Sequence, residues 1–186
     1  MCALHGSGGL GNVGHLEFAR MLANQGFCVV VPHYFESTGT VWADNATILR
    51  EFARWMGTIS DALDFTAKDE KADDSRIGLV GFSLGAYLAL SLGSQQQRVK
   101  AVVDFFGGMP DHFAERLNGM PPVLILHGAA DFVVPVTEAH KIAELLESRK
   151  LPYEMKLYEN AGHGFRGLDM MDAGQRTFIF LKRHLG

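Results

Sequence analysis

The sequence predicts an α/β fold: a mostly parallel sheet of about six strands flanked by helices. Two observations carry that prediction. Short runs of consecutive apolar residues recur along the chain, and stretches with a 3.6-residue apolar period lie between them. A strand that is apolar at every position must be buried on both faces, which places helices above and below a parallel sheet. No internal repeat, low-complexity tract or linker divides the chain, so its 186 residues read as a single domain, 1–186.

Taken in order, residues 1–4 look like the tail of a first strand. Residues 27–31 (FCVVV) form a continuous apolar run stopped by Pro32. Residues 76–80 (RIGLV), 100–106 (KAVVDFF) and 122–126 (PVLIL) are three more such runs. Residues 153–158 (YEMKLY) alternate instead, as an edge or one-sided strand does. Between the runs, Ile48, Phe52, Trp55, Ile59 and Leu63 keep a helical period, which predicts a helix within Trp42 to about Thr66. Ala139, Ile142, Ala143 and Leu146 mark another helix. Met171, Phe178, Leu181 and Leu185 mark a last one near the C-terminus. All three stripes are expected to face the core.

Bulk properties exclude several classes. A net charge of −4 with no Lys/Arg cluster argues against a nucleic-acid partner. No apolar run approaches the roughly 18 residues of a membrane span, and residues 1–9 lack the basic and apolar regions of a secretory signal. Cys2 and Cys28 lie in apolar surroundings outside any CxxC pair, so two reduced, buried thiols and a cytoplasmic location are expected.

Ligands of parallel sheets bind beyond the carboxyl ends of the strands, so the residues after each run carry the chemistry. Gly81-Phe82-Ser83-Leu84-Gly85 follows one run and opens a helix-compatible stretch, 86–92. This G-x-S-x-G pattern, in its strand-turn-helix context, makes Ser83 the candidate nucleophile. A serine hydroxyl needs a base. Among eight histidines His163 stands out, set between glycines in a loop after the last strand. His5 and His127 also end strands, His33 and His112 suit a cleft wall, and His15, His140 and His184 read as surface residues. Asp131, beyond the strand ending in His127-Gly128, is the candidate acid that orients the base; Asp104, inside a strand, is the runner-up. The chain order Ser83, Asp131, His163 is that of this hydrolase architecture. For the oxyanion, the Leu84 N–H and the Ser7 N–H in Leu4-His5-Gly6-Ser7-Gly8-Gly9 are the candidate donors, with Gly8 as second choice.

Together these segments resemble the α/β-hydrolase fold and, more narrowly, the dienelactone hydrolase family. The resemblance rests on LHGSGG, GFSLGA, FFGG, PVLILHGAAD and YENAGHGF, spread over most of the chain. It implies acyl transfer without metal or organic cofactor, on a small-molecule acyl substrate. Archetypal members carry cysteine where Ser83 stands, which directs the expectation from the dienelactone reaction toward general ester hydrolysis. The hairpin that opens the fold in that family is missing before Leu4. That predicts a smaller sheet, and a homodimer paired through the exposed edge. Substrate carboxylates in the family are held by arginines, and Arg166 is the candidate here. Tyr34, Phe35, Trp42, Phe106 and Met109, in loops beyond the strands, are candidates for an apolar pocket or for packing. A peptidase, a thioesterase or a non-catalytic binding protein of the same fold remain alternatives.

Overall fold

The computed structural model of the chain describes residues 1–11, 13–70, 72–115, 117 and 119–186. Five strands, β1 (Cys2–Leu4), β2 (Ile77–Phe82), β3 (Val99–Phe105), β4 (Val123–Gly128) and β5 (Tyr153–Tyr158), form one sheet in sequential order. Every neighbouring pair is parallel. All residues of β2 and β4 are buried, as their unbroken apolar runs require. The register brings Leu4, Phe82, Phe105 and Leu126 to one rim, with Gly128 level with Tyr158 beside them. The loops that follow these residues therefore meet at that rim.

Among the described residues the α-helices are α1 (Val13–Asn24), α2 (Asn45–Thr66), α3 (Leu84–Gly93), the single turn α4 (Asp111–Ala114), α5 (Thr137–Ser148) and α6 (Gly167–Leu185), and the longer ones flank the sheet. On one face Leu79, Val102, Val123 and Ile125 pack with Trp55 and Ile59 of α2, Leu88 of α3 and Ile142 of α5. On the other, Val80, Phe82, Val103, Phe105 and Leu126 pack with Phe18 and Leu22 of α1 and Phe180 and Leu181 of α6. The helix within Trp42 to Thr66 starts at Asn45, because Asp44 adopts an extended backbone and its side chain accepts the Thr47 N–H at 2.8 Å.

Three expectations are corrected. The sheet has five strands rather than six, because residues 27–31 pair at a single point, a parallel bridge between Cys2 and Val30. Val30 nevertheless takes the outward N–H of Ala3 and gives its own N–H to the Met1 carbonyl. The β1 edge expected to pair with a second copy is thus covered there by the chain itself. On α6, Met171 is exposed, and the buried face runs through Ala173, Thr177, Phe180 and Leu181. Small side chains let this helix sit close to β3 without registering as an apolar stripe. Finally, Cys28 is exposed while Cys2 is buried, its thiol pushed up to about 11 by desolvation. No described helix is long and apolar enough to cross a membrane.

Candidate active site

The turn from β2 into α3 holds Ser83 at φ 54°, ψ −119°, a conformation that costs a non-glycine residue about 1–3 kcal/mol. Tight surroundings enforce it. A Cβ on Gly81 would overlap the Gly85 carbonyl, and one on Gly85 would overlap the carbonyl of Leu4 and lie 2.5 Å from that of His5. The strand, the helix start and the end of β1 therefore close together only through these two glycines. Leu84 is the first residue of α3, so its amide belongs to the unpaired N–H groups at the positive end of that helix.

The loops after β4 and β5 are laced to each other. Gly128 has no room for a Cβ against the Ala161 and Gly162 carbonyls, and Ala130 donates its N–H to the Ala161 carbonyl at 3.0 Å. This brings Asp131 and His163 together. Asp131 Oδ1 accepts the N–H groups of Val133 (2.8 Å) and Val134 (2.9 Å), while Oδ2 accepts from His163 Nδ1 at 2.8 Å. With Nδ1–H committed to the carboxylate, Nε2 is left to accept the hydroxyl proton of Ser83, 3.0 Å away. The Asp131 carboxylate is fully buried and the imidazole side chain is 23% exposed, so the relay runs from the interior to the cleft. Phe106 supports the ring from the side, edge-on at 4.9 Å. It holds φ 45° with its N–H on the Leu126 carbonyl at 2.8 Å.

Other candidates fall elsewhere. Tyr34 is fully buried, stacked on His5 at 4.0 Å with its hydroxyl on the His5 carbonyl, so it is a core residue and not a pocket wall. Phe35 and Met109 are likewise buried in the core. Phe106 packs against His163 and does not line the cavity over Ser83. Arg166 stands exposed before α6, also outside that cavity. Trp42 and Ser7 do line it. Asp104 contacts no histidine: its Oδ1 accepts the Gly107 N–H at 2.8 Å, and burial pushes its carboxyl up to about 7. His15 is not a surface residue, since its ring stacks on Phe82 and desolvation pushes it down to about 4.

The cavity, about 930 Å³, opens on Ser83 and Leu84. A smaller one of about 190 Å³ lies at the opposite end of the strands, between Met1, Ile77 and Leu185, away from this chemistry. Sequence reasoning missed two parts of the main cavity and one support of the Asp131 turn. Tyr87, one turn after Ser83, lines it, and Gly108 leaves space for its ring. Ile48 and Phe52, expected in the core, also form wall. His127, kept neutral by burial, donates Nε2–H to the Val134 carbonyl at 2.9 Å and so steadies the turn that Asp131 holds. Among the described residues no three His, Cys, Asp or Glu side chains gather as a metal site.

Residues 4–173 match the family model of the dienelactone hydrolase family. The chain belongs to that family. It is 28% identical over 192 residues to carboxymethylenebutenolidase of Rhodococcus opacus, covering 91% of this chain and 75% of that one. It is 24% identical over 159 residues to a carboxymethylenebutenolidase homolog of Xenopus tropicalis, covering 79% and 62%. Against the first curated relatives it matches, the chain spans 57–75% of their length. The fold is shared with a dienelactone hydrolase-like promiscuous phosphotriesterase from metagenomic libraries (TM-score 0.83, 20% identity, 100% of this chain and 86% of that one).

Proposed function

We propose that this member of the dienelactone hydrolase family is a serine hydrolase that cleaves carboxylic ester bonds in small acyl substrates through an acyl-enzyme. The observation that supports this reading best is the unbroken relay from Asp131 Oδ2 through His163 to Ser83 Oγ, with contacts of 2.8 and 3.0 Å. Ser83 Oγ attacks the ester carbonyl carbon as its proton passes to His163 Nε2. The oxygen that gains the negative charge lies against the Leu84 N–H and the Ser7 N–H. The tetrahedral species collapses, His163 returns the proton to the departing alkoxide, and the acyl group stays on Ser83 as an ester. Water then repeats the sequence, with His163 as base, and releases the carboxylic acid. Asp131 holds the imidazole in its Nδ1–H tautomer and stabilises the imidazolium. These residues complete the chemistry with no metal or organic cofactor in any step. The free thiol of Cys28 at the surface suits the reducing cytoplasm, where we place the protein.

A fluorophosphonate probe tests the reading directly. Folded wild type is expected to label at one site and Ser83→Ala not at all. A folded wild type that stays unlabelled, or a Ser83→Ala variant that labels equally, overturns it.

A further inference from the structure

We propose that the cavity over Ser83 is a subsite for the uncharged aliphatic acyl chain of a neutral ester, and that it disfavours acyl groups ending in a carboxylate. This deepens the hydrolase reading and rests on it. One wall is a single face of the first turns of α2, built from Ile48, Leu49, Phe52 and Ala53 at the i, i+1, i+4, i+5 spacing that points side chains one way. Val133 and Val134, fixed by Asp131, also line the cavity. Among the described residues no lysine or arginine lines it. The carboxylate present is Asp44, which the Thr47 N–H holds below its ordinary range, so it is ionised at neutral pH. Asp44 also occupies the positive end of α2. A substrate carboxylate would therefore meet a like charge, the imidazole of His112 but no lysine or arginine, and a helix terminus already taken.

A second observation points the same way. Trp42, Leu49 and Val133 line the cavity yet are 65%, 84% and 69% exposed, and their chain neighbours Val41 and Phe132 are exposed as well. Apolar side chains gathered at the mouth of a pocket gain when an apolar ligand covers them. Burying one methylene is worth about fourfold in affinity, so chain length is read directly in kcat/KM.

The test is a series of p-nitrophenyl esters from acetate to hexanoate, with the pentanoyl ester set against the glutaryl half-ester of equal length. The expected result is a rise in kcat/KM of at least about tenfold from acetate to hexanoate, and a pentanoyl preference of about thirtyfold. Asp44→Asn keeps an N-cap acceptor and is expected to shrink that preference about fivefold. Leu49→Ser, at an exposed position, is expected to cut the hexanoate-to-acetate ratio about threefold. A flat series on an enzyme that turns over acetate, or a glutaryl ester cleaved as fast as the pentanoyl one, overturns the inference and leaves the hydrolase reading standing. If no ester turns over, the hydrolase reading fails, and binding decides the subsite. Trp55 is fully buried, so a blue shift of Trp42 emission on titrating Ser83→Ala with methyl hexanoate supports it, and no shift overturns it.

Discussion

At the residue scale the site turns on how Asp131 divides its two oxygens. Oδ1 is consumed by two backbone amides, which leaves Oδ2 for His163 and fixes which imidazole nitrogen carries the proton. Asp131→Asn preserves the shape but reverses one polarity. Its oxygen can serve Val133 and Val134 only if its NH2 faces Nδ1, and the ring must then carry its proton on Nε2, where it cannot accept from Ser83. The expected outcome is a fall in kcat of about 10⁴-fold with KM within a few-fold and an unchanged circular dichroism spectrum. Esterase activity within tenfold of wild type would show that Asp131 does not orient the base. The three side chains of this relay were legible in the sequence because each lies a few residues beyond a strand end, and parallel strands deliver their ends to one rim. Tyr34 and Arg166 were not, because their placement depends on which way a side chain leaves an irregular loop. Tyr34 turns inward to stack on His5, and Arg166 turns to solvent.

At the scale of elements, the β2–α3 turn and the end of β1 are one rigid unit, and glycine is the reason they fit. Gly85→Ala would drive a methyl group into the Leu4 and His5 carbonyls, backbone atoms held in the sheet. Overpacking against backbone, not against a flexible side chain, is expected to cost at least about 3 kcal/mol. For a chain of this length that lowers Tm by about 6–12 °C. Gly8→Ala, four residues past the same strand end, meets nothing within 4 Å and is expected to change Tm by less than about 3 °C. Thermal unfolding of the pair separates steric necessity from loop flexibility; equal shifts would sink the account. The same scale explains where pattern reading stopped. Residues 27–31 have a strand's composition, and Val29 and Val30 do turn to opposite faces of the sheet, but a run followed by Pro32 makes one bridge and no ladder. The apolar period of α2 was read correctly as a helix. It does not reveal that the same stripe leaves the core at Phe52 and continues as the wall of a cavity.

Across the whole molecule, the central strand β3 carries a carboxyl group that the proposed reaction does not use, and it makes stability depend on pH. Asp104 is fully buried, its Oδ1 holds the Gly107 N–H at 2.8 Å, and Oδ2 has no hydrogen-bond partner among the described residues. Burial raises its carboxyl to about 7, and the Gly107 N–H offsets part of that rise. In the unfolded chain the same group titrates near 3.9. Between those values the folded state keeps a proton that the unfolded state has lost, so folding weakens as pH rises, by about 1.4 kcal/mol per unit. Below about 4 both states are protonated, and above 7 both are ionised, so the full penalty is present from neutral pH upward. Asp104→Asn removes the titration while leaving an oxygen for Gly107, at the cost of a buried NH2 without a partner. At pH 5 the variant is therefore expected to melt at or below wild type. From pH 5 to 8 its Tm relative to wild type should climb by about 5–10 °C, which is about 2.7 kcal/mol over the two units below the folded pKa. Melting curves of both proteins at matched ionic strength measure that difference. A difference that stays constant would mean that the carboxylate is charged in the folded protein throughout, with water or a cation reaching Oδ2 beneath the β2–α3 turn.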